Sequence, residues 1–275
     1  MIAKVSIIIP CYNDAEFIEQ AVQSALNQTY QNKEIIVVDD GSNEETKAVL
    51  KRQEPKITQL ITQENKGTSA ARNKGIEAAT GEFILVLDSD DYFETSFCEK
   101  AVEIFEKDSN IKMVTCYARW FWNNIDFQIF KPAGGGLKNF LLTNSSLSTI
   151  FFKKNWREVG GYDEMMVNGF EDWEFYIRLH HNGGRTVVIP EVLFHYRKKK
   201  ESRTSIANEN KYELLEYIYI KHADLYKENF ELFTKHLLDK LKTEEREKIK
   251  NTKRIDSRLG SAILRPIRFF KSLLN

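Results

Sequence analysis

Apolar residues in the first 120 positions follow two alternating rhythms. Short continuous runs, such as Val5-Ser6-Ile7-Ile8-Ile9 and Ile35-Ile36-Val37-Val38, read as strands buried on both faces. Between them, Phe17, Ile18, Ala21, Val22, Ala25 and Leu26 recur at the spacing of one helix face. Strands are predicted over 4–10, 34–39, 57–62, 82–87 and near 112–116. Helices are predicted after Asn13, from about Glu44, over 68–79 and near 94–106. Asn13 with Glu16 is read as the N-cap and capping box of the first helix.

Repeated strand–helix–strand units predict an α/β fold, a mostly parallel central sheet with helices on both faces. Ligands of such sheets bind outside the carboxyl ends of the strands. Pro10, Asp39-Asp40 and Asp88-Ser89-Asp90-Asp91 all fall at predicted strand ends, so they are expected along one edge. Beyond residue 120 the pattern weakens. Gly134-Gly135-Gly136 reads as a flexible loop, an amphipathic helix begins near Glu171, and the chain is charged and helical from about Ala207. The expected division is a catalytic domain over 1–206 and a helical basic extension over 207–275. Within the former, a nucleotide-binding part covers about 1–118 and an acceptor part about 119–206.

Composition adds a charge asymmetry. The chain has 275 residues and no net charge, with 40 Lys+Arg against 40 Asp+Glu. Residues 1–197 carry 21 basic and 28 acidic side chains, a net of −7, and residues 198–275 carry 19 and 12, a net of +7. The first part suits a cation and the second an anionic surface. Three scattered cysteines form neither a disulfide framework nor a zinc site and are expected as reduced thiols. No stretch reads as a signal peptide or reaches the ~18–20 apolar residues of a membrane span. A cytoplasmic protein is expected, with peripheral attachment to the inner membrane face as an option.

Three carboxylates within Asp88-Ser89-Asp90-Asp91 repel one another unless a cation or donors compensate, and hard divalent ions prefer such oxygen ligands. The competing reading is an acidic turn, with Asp91 capping the next helix. Asp39-Asp40 can accept from a base N–H or a ribose hydroxyl, or merely cap a turn. Arg72, in the small-residue helix Thr68-Ser69-Ala70-Ala71-Arg72-Asn73, needs a partner for its charge, such as a diphosphate. Asp172 in Glu171-Asp172-Trp173 is a candidate general base or a helix-dipole acid. His195 can hold a metal or phosphate, and Arg197, Lys198 and Arg203 can reach a diphosphate leaving group; a solvated charge run is the alternative.

Together these segments resemble the family 2 inverting glycosyltransferases of the GT-A fold. The matching pieces run from Val5-Ser6-Ile7-Ile8-Ile9-Pro10-Cys11-Tyr12-Asn13 through Val37-Val38-Asp39-Asp40-Gly41-Ser42 to Asn65-Lys66-Gly67-Thr68-Ser69-Ala70-Ala71-Arg72-Asn73. Asp88-Ser89-Asp90-Asp91, Gly160-Gly161-Tyr162-Asp163 and Glu171-Asp172-Trp173-Glu174 complete them. The resemblance implies a nucleotide pocket of Pro10, Tyr12, Asp39, Asp40, Arg72 and Asp88, with Asp40 on the base. It implies Mn²⁺ or Mg²⁺ held by Asp90, with Asp88 direct or through water. Asp172 is the implied base, ionised at neutral pH without a pKa shift. The implied donor is a UDP-sugar and the acceptor a glycan or lipid-linked hydroxyl, with no role for nucleic acid.

The Gln-x-x-Arg-Trp motif of processive synthases is absent, which favours transfer of a single sugar. A non-catalytic nucleotide-sugar-binding protein on the same fold is the alternative. The segment 258–275 has four basic residues and no acidic ones, with Leu259, Ile263, Ile267, Phe270 and Leu274 at helical spacing. It suits a membrane surface, its own domain or a second copy in a homo-oligomer.

Overall fold

The computed structural model describes residues 3–123, 125–199 and 207–253, together with Gly260 and Leu264. Arg203 and the rest of the 258–275 segment lie outside the described residues. Two compact units divide the chain, 1–222 and 223–275.

The first unit holds a nine-stranded sheet. Its strands are β1 (Val5–Cys11), β2 (Lys33–Asp40), β3 (Gln59–Gln63), β4 (Phe83–Val86), β5 (Tyr92–Phe93), β6 (Ile111–Phe121), β7 (Phe127–Phe130), β8 (Ile150–Phe152) and β9 (Arg185–Arg197). They lie in the order β3-β2-β1-β4-β8-β6-β9-β5, with β7 on β6. The pairs β1–β2, β2–β3, β1–β4 and β6–β9 are parallel, and β8 runs antiparallel to both β4 and β6. Six of the nine strands (β1, β2, β3, β4, β6 and β9) therefore point the same way. Their carboxyl ends share one edge, as the strand pattern predicts.

Helices α1 (Ile18–Leu26), α2 (Glu44–Gln53), α3 (Thr68–Ala78) and α4 (Phe97–Lys107) cover the sheet. Ile7, Ile9, Ile35, Val37 and Leu85 cluster with Ile18, Val22, Leu50 and Phe97 on one face. On the other, α3 lies so close that a Cβ at Gly75 would meet Ile8 Cγ2 at 2.4 Å and Val38 Cγ2 at 3.1 Å. Strand alternation thus sends odd and even positions of β1 into two separate apolar layers.

Asn13 does not cap α1: the helix begins at Ile18 after Phe17, without a side-chain cap. Asn13 takes a left-handed φ of 55°, and its Oδ1 accepts from Asn43 N at 2.8 Å, tying the first loop to the next. Nor does Asp91 cap a helix, because β5 intervenes before α4. The Gly134–136 loop is pinned rather than flexible, with Gly135 and Thr186 exchanging backbone hydrogen bonds of 3.0 and 2.7 Å. Cys11, Cys98 and Cys116 are free and buried, and burial pushes each thiol up to about 12.

The weakly patterned region supplies α5 (Leu137–Leu142), α6 (Lys153–Glu158) and α7 (Glu171–His180), followed by α8 (Lys211–Lys221). Glu174 on α7 is fully buried and receives Arg178 Nε at 2.8 Å, with Lys221 Nζ at 2.9 Å and His222 Nε2 at 3.0 Å. These partners bind the end of α8 to α7. Among the described residues the second unit contains α9 (Ala223–Glu228) and α10 (Phe230–Lys253), with Tyr226 and Phe233 rings 4.6 Å apart. Among the described residues no helix is long and apolar enough to cross a membrane.

Burial alone would raise the Glu174 pKa, but hydrogen bonds from His222, Arg178 and Lys221 outweigh it and hold the carboxyl at about 2. A depressed carboxylate stabilises the fold above its ordinary value of 4.5, and the gain is lost as pH falls towards 2. Glu174→Gln is expected to cost roughly 3 kcal/mol at pH 7. Denaturant unfolding should show the gap between variant and wild type shrinking between pH 4.5 and 2; a gap independent of pH would contradict the assignment.

Candidate functional site

The strand ends at the carboxyl edge bring the acidic segments together. β4 runs into Asp88, and the turn closes with Asp91 N donating to Asp88 O at 3.1 Å. β9 ends beside it: Arg197 N donates to Asp91 Oδ1 at 2.8 Å and Arg197 Nε to Asp90 O at 3.0 Å. Arg72, on the first turns of α3, is 6% exposed. Its two terminal nitrogens lie 2.7 Å from Asp88 Oδ1 and 2.9 Å from Glu171 Oε1. Burial disfavours the guanidinium charge, yet Asp88 and Glu171 more than offset it and raise the pKa. One arginine thereby joins the β4 turn to the start of α7.

Asp172, the next residue, is half-buried. Asn144 Nδ2 donates to its Oδ2 at 3.0 Å and Trp173 N to its Oδ1 at 2.7 Å. Its pKa is not ordinary: burial first, then the neighbouring Glu171, push it up to about 6, against the pull of Arg72. Phe170, just before α7, has a φ of 60°. A left-handed aromatic residue stores strain, and such positions cluster where side chains must be aimed. Asp172, Arg72, Asp88, Asp91 and Tyr162 line one cleft of about 80 Å³. A larger recess of about 480 Å³ lies behind the Gly160–Gly161 turn, lined by Trp156, Lys74 and Glu77, and holds none of these aspartates.

Asp90 is not on the cleft wall. Lys199 Nζ sits 2.8 Å from its Oδ2 and 2.8 Å from Asp14 Oδ1. Burial pushes the Asp90 pKa up, Lys199 pulls it down, and Asp88 and Asp14 add to the rise. Asp91 is 1% exposed, its Oδ2 has no hydrogen-bond partner, and burial with Asp90 and Asp88 drives its pKa well up. Hard oxygen donors in excess of their counter-ions fit a divalent cation. Among the described residues no three His, Cys, Asp or Glu side chains converge on one metal position, so a bound ion here would draw further ligands from substrate phosphate or water.

The nucleotide candidates divide. Pro10 is the last residue but one of β1, beside Val38, and Tyr12 is 50% exposed at the edge. Asp39 Oδ1 accepts from Ser42 N at 2.9 Å, the turn cap that the sequence also allows. Asp40 accepts from Gln63 Nε2 at 2.8 Å and from the backbone N–H groups of Lys66 and Gly67 at 2.9 Å each. It shapes the loop leading into α3, where Gly67 takes a φ of +89° that residues with a side chain rarely adopt.

His195 is not brought to the aspartates. It lies between Phe194 and Tyr196, which line the cleft, and alternation turns it to the other face. There it stacks on Tyr92 at 4.3 Å and meets Glu94 at 2.7 Å through Nε2; burial lowers its pKa. Lys198 packs its ammonium 4.1 Å from the centre of the Trp120 ring, and Arg197 lies over Phe17 and Phe121. Sequence reading missed Asp14 and Asn144, and met Lys199 and Tyr162 only as members of a basic loop and a matching motif, without a role of their own. Asp14 follows a strand already assigned to this edge, which is a usable signal; the others meet the site only through the fold. Asn73, a neighbour of Arg72, holds Tyr162 by both its N–H and its C=O, at 2.8 and 2.9 Å.

A family profile described as glycosyl transferase family 2 matches residues 6–157. Chondroitin synthase from Escherichia coli is 31% identical over 186 residues, 64% of this chain and 26% of that protein. The chain spans less than half the length of the first curated relatives it matches. The crystal structure of S. aureus TarS 1-349 in complex with UDP-GlcNAc superposes with a TM-score of 0.67 at 22% identity, over 79% of this chain and 66% of that one. Mannosyltransferase PcManGT from Pyrobaculum calidifontis, in complex with GDP-Man and Mn²⁺, gives 0.58 at 21% identity, over 74% and 59%. These likenesses show the GT-A fold.

Removing Arg72 takes the guanidinium from Glu171, whose side chain is 7% exposed, and from Asp88, whose side chain is 42% exposed and open to water. Arg72→Met is expected to cost about 3–5 kcal/mol, and adding Glu171→Leu should recover part of the loss. Denaturant midpoints of the two variants check this; no recovery in the double variant would separate Glu171 from Arg72.

Proposed function

The chain belongs to glycosyl transferase family 2, and from that premise we propose that it transfers one sugar from a nucleoside-diphosphate sugar to an acceptor hydroxyl, with inversion and with Asp172 as base. The observation that carries this reading is the Asp172 carboxylate, raised to about 6 and lining the same cleft as Arg72, Asp88 and Asp91. A base poised near the working pH is ionised enough to accept a proton and basic enough to pull on it.

In the proposed step Asp172 takes the proton of the acceptor hydroxyl as that oxygen bonds to the anomeric carbon from the face opposite the diphosphate. The bond between the anomeric carbon and the diphosphate oxygen breaks, and its electron pair leaves with the nucleotide. Asn144 orients the Asp172 carboxylate through its 3.0 Å hydrogen bond. Arg72 fixes Asp88 and keeps the base helix against the donor edge. Asp90, with Asp88 directly or through water, would hold Mn²⁺ or Mg²⁺, which when bound supplies charge stabilisation to the leaving diphosphate. Tyr12, Pro10, Asp39 and Asp40 form the proposed nucleotide side, where Asp40 keeps one acceptor position beyond the three hydrogen bonds it already receives.

A UDP-sugar is the proposed donor, consistent with the TarS complex with UDP-GlcNAc, and a glycan or lipid-linked hydroxyl the proposed acceptor. Asp172→Asn is expected to lower kcat at least about a hundredfold while UDP binding, measured calorimetrically, stays within about twofold. Retained turnover would remove Asp172 from the role. In the wild type, kcat/KM should rise with pH through about 6 and level above it, because the raised carboxyl must lose its proton to act.

A further inference from the structure

The cation that the acidic edge already contains is a side chain. Lys199 Nζ stands 2.8 Å from Asp14 Oδ1 and 2.8 Å from Asp90 Oδ2, bridging a carboxylate of the first loop and one of the β4 turn. All three side chains are partly sheltered, with 18%, 24% and 27% of Asp14, Asp90 and Lys199 exposed. Asp14 is held for this contact from the other side, since Ser89 Oγ donates to its Oδ2. The Lys199 ammonium also lies 4.7 Å from the centre of the Phe17 ring. Ser89 and Asp90 are consecutive, so one turn both aims Asp14 and supplies the second carboxylate.

We infer that Lys199 is the resident counter-cation of this site, and that a divalent metal ion and the Lys199 ammonium compete for the Asp14 and Asp90 carboxylates. The inference rests on the reading of Asp90 as a metal ligand. An ammonium bridging two oxygens at hydrogen-bond distance fills the space in which an ion coordinated at ~2.0–2.1 Å from the same oxygens would sit. Both cations cannot occupy it. Lys199 keeps like charges apart while the site is unliganded, at the cost of lowering the ion's apparent affinity in proportion to the fraction of time the carboxylates are free of it. Once displaced, the ammonium is a free cation beside the place where a donor diphosphate would bring negative charge. Ion and diphosphate should therefore bind cooperatively: the diphosphate offers Lys199 a new partner and releases Asp90 to the metal.

The full chain, titrated with Mn²⁺ and followed by the electron paramagnetic resonance of the free ion, tests this. Lys199→Met is expected to bind Mn²⁺ roughly tenfold more tightly than wild type in the absence of nucleotide, whereas Lys199→Arg, which keeps a cation, stays near wild type. Adding UDP should strengthen Mn²⁺ binding in the wild type and much less in Lys199→Met. A second measurement needs no variant: acylation of Lys199 in the wild type, read by mass spectrometry, should quicken when Mn²⁺ is added. Mn²⁺ binding to wild type with no gain in Lys199→Met and no change in Lys199 acylation would overturn the competition and leave Asp90 as a ligand. No Mn²⁺ binding by any of the proteins would overturn both.

Discussion

The site is organised by one buried cation. Arg72 reaches from α3 to Asp88 at the end of a parallel strand and to Glu171 at the start of α7, two segments more than eighty residues apart in sequence. Because Arg72 and Glu171 are both nearly enclosed, Glu171 cannot exchange the guanidinium for water at low cost. The distance between the acidic strand edge and the helix carrying Asp172 is therefore set by a guanidinium of fixed shape. Tyr162, 5.4 Å from that guanidinium and held in place by Asn73, closes the arrangement on the remaining side.

The same crowding that makes Arg72 necessary gives Asp172 its character. Burial raises the Asp172 pKa most, and the charge of Glu171, although paired with Arg72, adds to the effect. An aspartate that would be an unremarkable anion in water becomes a group able to exchange a proton near neutral pH. The neighbouring Glu174 experiences burial as well and ends at about 2, because hydrogen bonds from His222, Arg178 and Lys221 outweigh it. Two acids two residues apart on one helix are thus driven in opposite directions, Asp172 upward by burial and Glu171 and Glu174 downward by its hydrogen-bond partners.

The α/β architecture and the ligand edge were legible because each parallel strand is a short apolar run whose last residues are polar. Asp39-Asp40 and Asp88-Ser89-Asp90-Asp91 announce that edge without any tertiary information. The region beyond residue 120 was not legible to the same degree. Strands β6 and β9 mix apolar and polar positions, and β9 pairs with a strand whose end lies more than sixty residues earlier. No local pattern says that Arg197 and Lys199 arrive beside Asp90 and Asp91, or that His195 turns away. The resemblance marked Asp172, but its altered acidity depends on Glu171, Arg72 and Asn144 meeting in three dimensions. Asn13 shows the opposite failure: a residue suited to cap a helix instead spans two loops, because Asn43 N lies within reach.

The pairing of β9 with β6 has a consequence for how the protein comes into being. A parallel ladder between distant segments forms late, since a long loop must be ordered before any contact repays it. β9 is also the strand that delivers Arg197 to Asp91 and Lys199 to Asp14 and Asp90. During synthesis the N-terminal half can collapse around β1, β2 and β4 while its acidic edge still lacks these basic partners. The carboxylates then repel one another until the last strand docks, so the arrival of β9 both completes the sheet and neutralises the edge in a single event.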